Sequence, residues 1–458
     1  MWCAAAMGLM TVSPIPLKNR SRSLMKIGLL VLAALLLVPS GQGAAAASLA
    51  HYIEEALAHN DELAGARAAE LAAAHGVRKN GVLPDPVLAV QYYLQPVETR
   101  TGPQEAAIGI NQQLPWPGKL ALAKEQARRQ QGVLARRLEA VELGVIRQVK
   151  EAYVEYGYNS AARRITRQGL ELLRYSESVA LNRYSTGKLD LDKVLRLQVE
   201  VVLLEERLQG LIDRQDVLRT RLNGLLGAPR QTKRQAPATL PVVGLAMPEA
   251  ELYELARRKS PRLAEADTVI AREKVAVAQA EKDFWPDLTV SLKTIVTGSA
   301  EFGDPPDSGR DPVIAGLTLN IPLFRDKRHG AVAEQRHEVL AARSRRAQLV
   351  QELDGAIEQV LAKYRSSRRR HDFYEQSVLP KLRQEVEVGL QSFQDGSQGA
   401  LALLAAEKEL LRFELEQSRA RADQAIAVAR LEELAGVTLA QWQAVPLGEE
   451  VPAEHQLQ

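Results

Sequence analysis

The residues of this chain that could do chemistry are few and badly spaced for it. Seven histidines, at 51, 59, 75, 329, 337, 371 and 455, never fall three or four positions apart, the interval that sets two imidazoles on one helix face around a metal ion. Cys3 is the sole cysteine, and four of the five methionines stand at or before position 25. Met247 alone follows, so there is no thioether ladder for Cu(I) or Ag(I). No nucleophile, base and orienter stand out together, and there is no glycine-rich phosphate loop. The arginine clusters Arg343-Arg345-Arg346 and Arg368-Arg369-Arg370 have two readings, a lumen lining that attracts anions or the solvated face of a long helix. The expectation is a protein with no catalytic residues, no cofactor and no resident metal, hence not an enzyme.

What the spacing does show is a ruler used twice. Tyr184 stands three residues before Gly187, and Phe393 three before Gly396; 40 positions beyond each glycine comes another, Gly227 and Gly436. Glycine accepts the left-handed backbone that a tight helix-to-helix turn requires. The candidate tip residues of two hairpins are therefore Arg183, Tyr184, Gly187, Leu189, Phe393 and Gly396. The same duplication pairs Asn60-Asp61-Glu62-Leu63 with Ser260-Pro261-Arg262-Leu263, Leu83-Pro84-Asp85 with Trp285-Pro286-Asp287, and Leu114-Pro115 with Ile321-Pro322, at offsets that grow from 200 through 202 to 207 and reach 209 at the tip glycines. Prolines and glycines coincide along with the apolar positions, which marks a duplication rather than chance. Duplicated units usually belong to architectures in which neither copy is stable alone.

The elements that must position these tips are read from periodicity. Leu288, Val290 and Leu292 alternate with Thr289, Ser291 and Lys293, and Leu317, Leu319, Ile321 and Leu323 alternate with Thr318 and Asn320. A period of two with one apolar face predicts strands at about 287–297 and 313–323. Leu88, Val90, Tyr92 and Leu94, then Ile108 and Ile110, predict a first pair at about 86–95 and 106–114, with water-facing loops at 95–105 and 298–312. Residues 49–80 and 250–282 read as one helix each. After each strand pair comes a stretch of 69 residues, 118–186 and 327–395; as helix it would reach roughly 100 Å, with a kink expected at Pro380. The returning helices carry apolar residues at steps of three and four, a coiled-coil seam.

At 458 residues with 46% apolar but only 5% aromatic content, the chain suits long packed helices better than one globular core. Lys26, the apolar run Ile27 to Val38 and the small residues Ala44 to Ala47 have the order of a secretory signal peptide. The expected division is thus a signal peptide over 1–47 with Met25 as an alternative start, repeat 1 over 48–227, a linker over 228–248, repeat 2 over 249–439 and a polar tail over 440–458. The formal charge of +3 includes four cations before residue 48 and no anions, so the exported part is near neutral and offers no footprint for nucleic acid. With no cysteine after the signal, no lipid anchor is expected.

Four amphipathic strands in an exported protein look like part of a membrane barrel, yet four cannot close. Single-chain barrels begin at about 8 strands, and an open edge in hydrocarbon leaves backbone groups unsatisfied. Two, three or four copies could pool their strands; a soluble hairpin on a helical body is the alternative. On this reading Leu88, Val90, Leu288, Val290, Leu292, Leu317, Leu319 and Ile321 face lipid.

The duplication, the order of elements, the phrase Leu114-Pro115-Trp116-Pro117-Gly118-Lys119 and the turn Arg183-Tyr184-Ser185-Thr186-Gly187-Lys188-Leu189 resemble the TolC-like outer-membrane efflux proteins over about residues 49–439. The resemblance implies a mainly α fold with a β-barrel portion: a homotrimer whose twelve strands form one barrel in the outer membrane of a Gram-negative bacterium, continued through the periplasm by an α-helical coiled-coil barrel. It implies docking of a periplasmic adaptor at the glycine tips and an inner-membrane transporter of the RND type. Leu83-Pro84-Asp85-Pro86 and the Leu114–Lys119 phrase resemble the heavy-metal branch that exports cobalt, zinc and cadmium. The ring of acids that often closes such tunnels just past the second tip is not matched, since 400–406 is apolar and Glu407 is the first acid. Alternatives are the exit duct of a type I protein secretion system, or a periplasmic adaptor, which would have one hairpin between compact β domains.

Overall fold

The computed structural model describes residues 48–439, apart from 238, 242, 246, 304 and 396–398. The expected signal peptide, the polar tail and Gly396 lie outside the described residues. Element order is α1 (Leu49–His59), α2 (Asp61–Lys79), β1 (Val87–Thr99), β2 (Gly102–Leu114), α3 (Lys119–Ser185), α4 (Leu191–Leu225), α5 (Glu249–Lys259), α6 (Pro261–Lys282), β3 (Leu288–Thr297), β4 (Val313–Leu319), α7 (Arg325–Phe373), α8 (Leu379–Asp395) and α9 (Ala400–Ala435). The two repeats follow the same order, and the four strands form one antiparallel sheet in the order β1-β2-β3-β4.

The helices expected over 49–80 and 250–282 are each broken in two, at Asn60 and Ser260. At the first break Asn60 Oδ1 accepts from the Leu63 amide at 3.1 Å, capping α2, while its Nδ2 donates to the Leu225 carbonyl at 2.9 Å. Ser260 precedes Pro261, which opens α6 at the position where proline costs no hydrogen bond. The shared Asn60/Ser260 motif is therefore a corner. Around it Tyr52, Ala56 and Leu63 are buried in repeat 1, and Leu252, Ala256 and Leu263, each 200 positions on, are buried in repeat 2.

The first strand pair is longer than its alternation suggested. The stretch 95–105 is not a loop: β1 runs on to Thr99 and β2 starts at Gly102, with Val97 opposite Gln104. Pro96, which cannot donate to the ladder, falls where the register shifts between Tyr92 and Val97, and that shift hid the second half of the strand from a period-two reading. β4 is shorter than expected and ends at Leu319, so Ile321 lies beyond it.

α3 is unbroken over 67 residues, about 100 Å. Its counterpart is α7 and α8 joined by a π-helical turn, Tyr374–Val378, in which the Leu379 amide reaches back to the Tyr374 carbonyl. Pro380 has no amide to give, and the wider turn just before it absorbs the mismatch. The linker 228–248 has no helix or strand among its described residues but is strapped down: Arg234 grips Glu55 with both terminal nitrogens (2.8 and 2.5 Å), and Leu240 and Val243 are buried.

Two glycines far from the tips are tightly confined. Gly227 (φ 64°) and Gly436 (φ 73°) end α4 and α9, and a Cβ on them would lie 2.2 Å from the His59 carbonyl oxygen and 2.5 Å from that of Lys259. Gly227→Ala and Gly436→Ala should each lower stability by about 1–3 kcal/mol, seen as a lower melting temperature. Gly210→Ala, on an open helix face, should be neutral or stabilising.

Candidate functional site

Strand register decides which side chains share a face. Leu88 pairs with Ile110, Val90 with Ile108, Ile110 with Leu292, Gln112 with Val290, Leu114 with Leu288, Leu288 with Leu319, and Val290 with Leu317. Directly paired residues project to the same side, so Leu88, Val90, Leu288, Val290, Leu292, Leu317 and Leu319 lie on one surface. All but Leu288, which is partly covered, are exposed. The opposite face carries Gln91, Asn111, Gln113, Thr289, Ser291, Lys293 and Thr318. β1 and β4 form the outer edges, each paired on one side only. An exposed apolar face of this extent, unlike scattered surface leucines, marks contact with a membrane or partner. No described helix is long and apolar enough to cross a membrane.

At the base of the sheet the Leu114–Lys119 phrase welds the two repeats together. Trp116 stacks on Trp285 at 4.9 Å and 14°. The Trp116 amide donates to Asp287 Oδ1 at 2.8 Å, and Lys119 Nζ donates to the same oxygen at 2.9 Å and to the Trp285 carbonyl at 3.0 Å. The Asp287 amide in turn donates to Asn320 Oδ1 at 2.5 Å. The Trp285-Pro286-Asp287 stretch thus takes part in a junction between sheet and helices.

The first tip is a Schellman turn. Lys188 N–H bonds the Arg183 carbonyl at 2.8 Å and Gly187 N–H the Tyr184 carbonyl at 2.9 Å, with Gly187 at φ 69°. Nothing lies within 4 Å of where its Cβ would be. Tyr184 and Phe393, equivalent in sequence, are not equivalent in place: Tyr184 is 43% exposed, whereas Phe393 is fully buried with Leu170, Leu173, Val194, Leu197 and Leu403, and Leu189 packs against that cluster. Arg183 joins the two tips. Its guanidinium lies 5.2 Å from the Phe393 ring centre and donates to the Phe393 carbonyl. The arginine clusters also serve helix contacts, Arg346 pairing with Asp267 at 2.6 Å and Arg370 with Asp423 at 3.5 Å.

Sequence reading missed the seam where α9 of repeat 2 lies along α3 of repeat 1. Toward the corner end it is held by ion pairs: Lys150–Glu432 at 2.5 Å with both side chains 6% exposed, Arg147–Glu433 at 2.7 Å, Arg430–Glu151 at 2.7 Å and Arg419–Glu155 at 2.8 Å. Toward the tips it becomes close and uncharged, with Leu411 against Gly169. Opposite charges spaced along two distant helices could have signalled this pairing, but only given a register between them.

The architecture is two long helical hairpins on one amphipathic sheet. Compact β domains flanking a single hairpin, the mark of an adaptor, do not occur among the described residues. Residues 252–437 match the family described as outer membrane efflux protein. The match lies within the second repeat, and the TolC-like fold extends over both repeats. Solved structures sharing this fold include the outer membrane protein VceC of Vibrio cholerae (19% identity, TM-score 0.70, covering 85% of this chain and 96% of that one). CusC (16%, 0.71, 85% and 92%) and the Campylobacter jejuni outer membrane channel CmeC (14%, 0.71, 94% and 95%) share it too. No curated protein matches the chain in sequence.

Arg183→Met should uncouple the tips. It removes a hydrogen bond and a cation–π contact together worth about 1–3 kcal/mol. Hydrogen exchange should quicken at the amides around Phe393 while those around Ile357, in a separate core, keep wild-type protection.

Proposed function

We propose that the protein is the outer-membrane exit duct of a tripartite efflux system: three copies pool twelve strands into one barrel, and their helical hairpins form the tunnel below it. The exposed apolar sheet face with its two open edges carries this reading. In water that face loses the hydrophobic stabilisation it could gain, and in lipid the edges must be paired. The sheet itself indicates how. Within the chain β2 joins β3 and so joins repeat 1 to repeat 2; the equivalent contact joins β4 of one copy to β1 of the next.

The helices support the same rule. Leu404 of α9 is 8% exposed, packed beside α3 and α8, whereas Leu195, 209 positions earlier on α4, is 51% exposed. Leu411 packs at Gly169; its counterpart Val202 is 61% exposed. The stripe Leu195, Val199 and Val202 on α4 thus lacks the partner that α9 has. By the repeat, that partner is the α7–α8 column of a neighbouring copy. At the far ends of the hairpins, the open space around Gly187 and the exposed Tyr184 suit docking of a periplasmic adaptor by Arg183, Tyr184, Gly187 and Leu189, with the buried Phe393 supporting that surface from beneath. An inner-membrane transporter of the RND type would supply the energy. The resemblance of the Pro84–Pro86 and Leu114–Lys119 stretches to the heavy-metal branch extends the reading to cobalt, zinc and cadmium as cargo, for which metal sensitivity of a strain lacking the gene is the test.

Mass measurement of the purified particle in detergent should return three chains; a monomer that never enters membranes would overturn the duct. Val290→Arg and Leu319→Arg should each cost about 2–4 kcal/mol near mid-bilayer and lower the yield of assembled particle, whereas Ser291→Arg on the opposite face should not. Equal yields would remove the assignment of faces.

Gly187→Val should leave assembly and membrane insertion intact and abolish export, because a β-branched residue is strained at positive φ and the damage sits about 100 Å from the sheet. Adaptor cross-linking at wild-type level with export preserved would move the docking surface elsewhere.

A further inference from the structure

Along the seam between α3 and α9, Glu151, Glu155, Glu432 and Glu433 each face a cation. Among the described residues Glu407 does not. It is 7% exposed; its Oε1 accepts from Ser176 Oγ of α3 at 2.6 Å, and its Oε2 is buried without a hydrogen-bond partner among them. Beside it lies a cavity of about 530 Å³ between α3, α4 and α9, lined by Leu173, Leu203, Leu204 and Leu411 among others. The charged groups around that cavity are engaged with one another or face solvent. Lys408 pairs with Glu200 of α4 at 2.6 Å, Glu409 with Arg412 at 2.5 Å, and Glu414 with Arg383 of α8 at 3.0 Å. Arg207 of α4 also lines the cavity, and Arg174 of α3 pairs with Glu205 at 2.5 Å. None of them contacts the Glu407 carboxyl.

A buried carboxylate with one neutral donor and no cation is costly, and the same group protonated is not. We infer that Ser176 and Glu407 form a proton-operated latch between the two repeats, closed while Glu407 is neutral and released when it ionises, so that α9 parts from α3 just below the tips. Burial among leucines pushes the Glu407 carboxyl up from 4.5 to about 6, against the pull of the Ser176 hydrogen bond. A carboxyl raised in the packed state favours packing fully below about 4.5, and this advantage is lost as pH climbs through about 6. Across that window the packed-to-parted ratio should fall on the order of 30-fold. The latch rests on the exit-duct reading only for its consequence, a tunnel end that loosens as the pH rises.

Spin labels at Glu171→Cys on α3 and Ala405→Cys on α9, in the full chain with Cys3→Ser, report the seam by pulsed EPR from pH 5 to 8. The expected result is a short, narrow distance at pH 5 that gives way to a longer one with a midpoint near 6. Glu407→Gln should hold the short distance at every pH. Ser176→Ala removes a bond that only the packed state makes and that holds the ionised carboxylate in place, and should move the release to lower pH. A wild-type distance that ignores pH, or a Glu407→Gln variant that keeps the wild-type midpoint, overturns the latch. Conductance in planar bilayers separates the two readings: absence of any channel counts against the duct, while a moving seam beneath a pH-independent conductance limits the latch to the helices.

Discussion

Everything in this molecule follows from backbone groups that a four-stranded sheet cannot satisfy. β1 and β4 each present one unpaired row of amides and carbonyls, on a sheet whose one face is almost wholly apolar. Water would hydrate the edges but not the face, and lipid would accept the face but not the edges. In the proposed assembly both demands are met, because another copy completes the ladder. The repeat makes this economical, since the β2–β3 joint within the chain is already a template for the joint between chains.

The same constraint runs down the helices. A 67-residue helix has far too little sequence-local support to hold a position relative to its neighbours, so its fixation comes from the helices packed along it, α4, α6 and α9 among them. The seam with α9 changes character along its length. Paired charges near the corner set the register, because a one-turn slip would bury several unpaired ions at once. Nearer the tips the helices approach through Gly169, Ser176 and Leu411, a contact that resists slipping less. The end of the structure where docking is proposed is thus also the part with the fewest locks, as expected of segments drawn from the low-stability end of a fold.

Identity with the solved channels is below 20%, yet the fold is shared almost from end to end. Few residue types are required for such a scaffold: glycine where α4 and α9 end against a carbonyl, a polar or proline-led corner at 60 and 260, and an apolar stripe at the right period. Most other positions can drift so long as that period is kept. The Trp116–Trp285 stack and the Asp287–Lys119 bond are this chain's particular way of welding sheet to helices, and they give its proline-rich phrase a mechanical meaning.

The duplication, the strand faces and the positions of the long helices were determined by sequence alone, because each rests on a local period or on glycine and proline at fixed offsets. Tertiary structure decided what depends on residues distant in the chain. Pro96 masked half of β1 until its partner strand supplied the register. The corner at Asn60 needed the Leu225 carbonyl to explain it. Tyr184 and Phe393 matched in sequence but parted in space, since one copy's tip is covered by the other repeat and the other is not. Glu407 read as merely the first acid beyond the second tip; its isolation from every cation is a property of the helices packed around it, which no local pattern encodes.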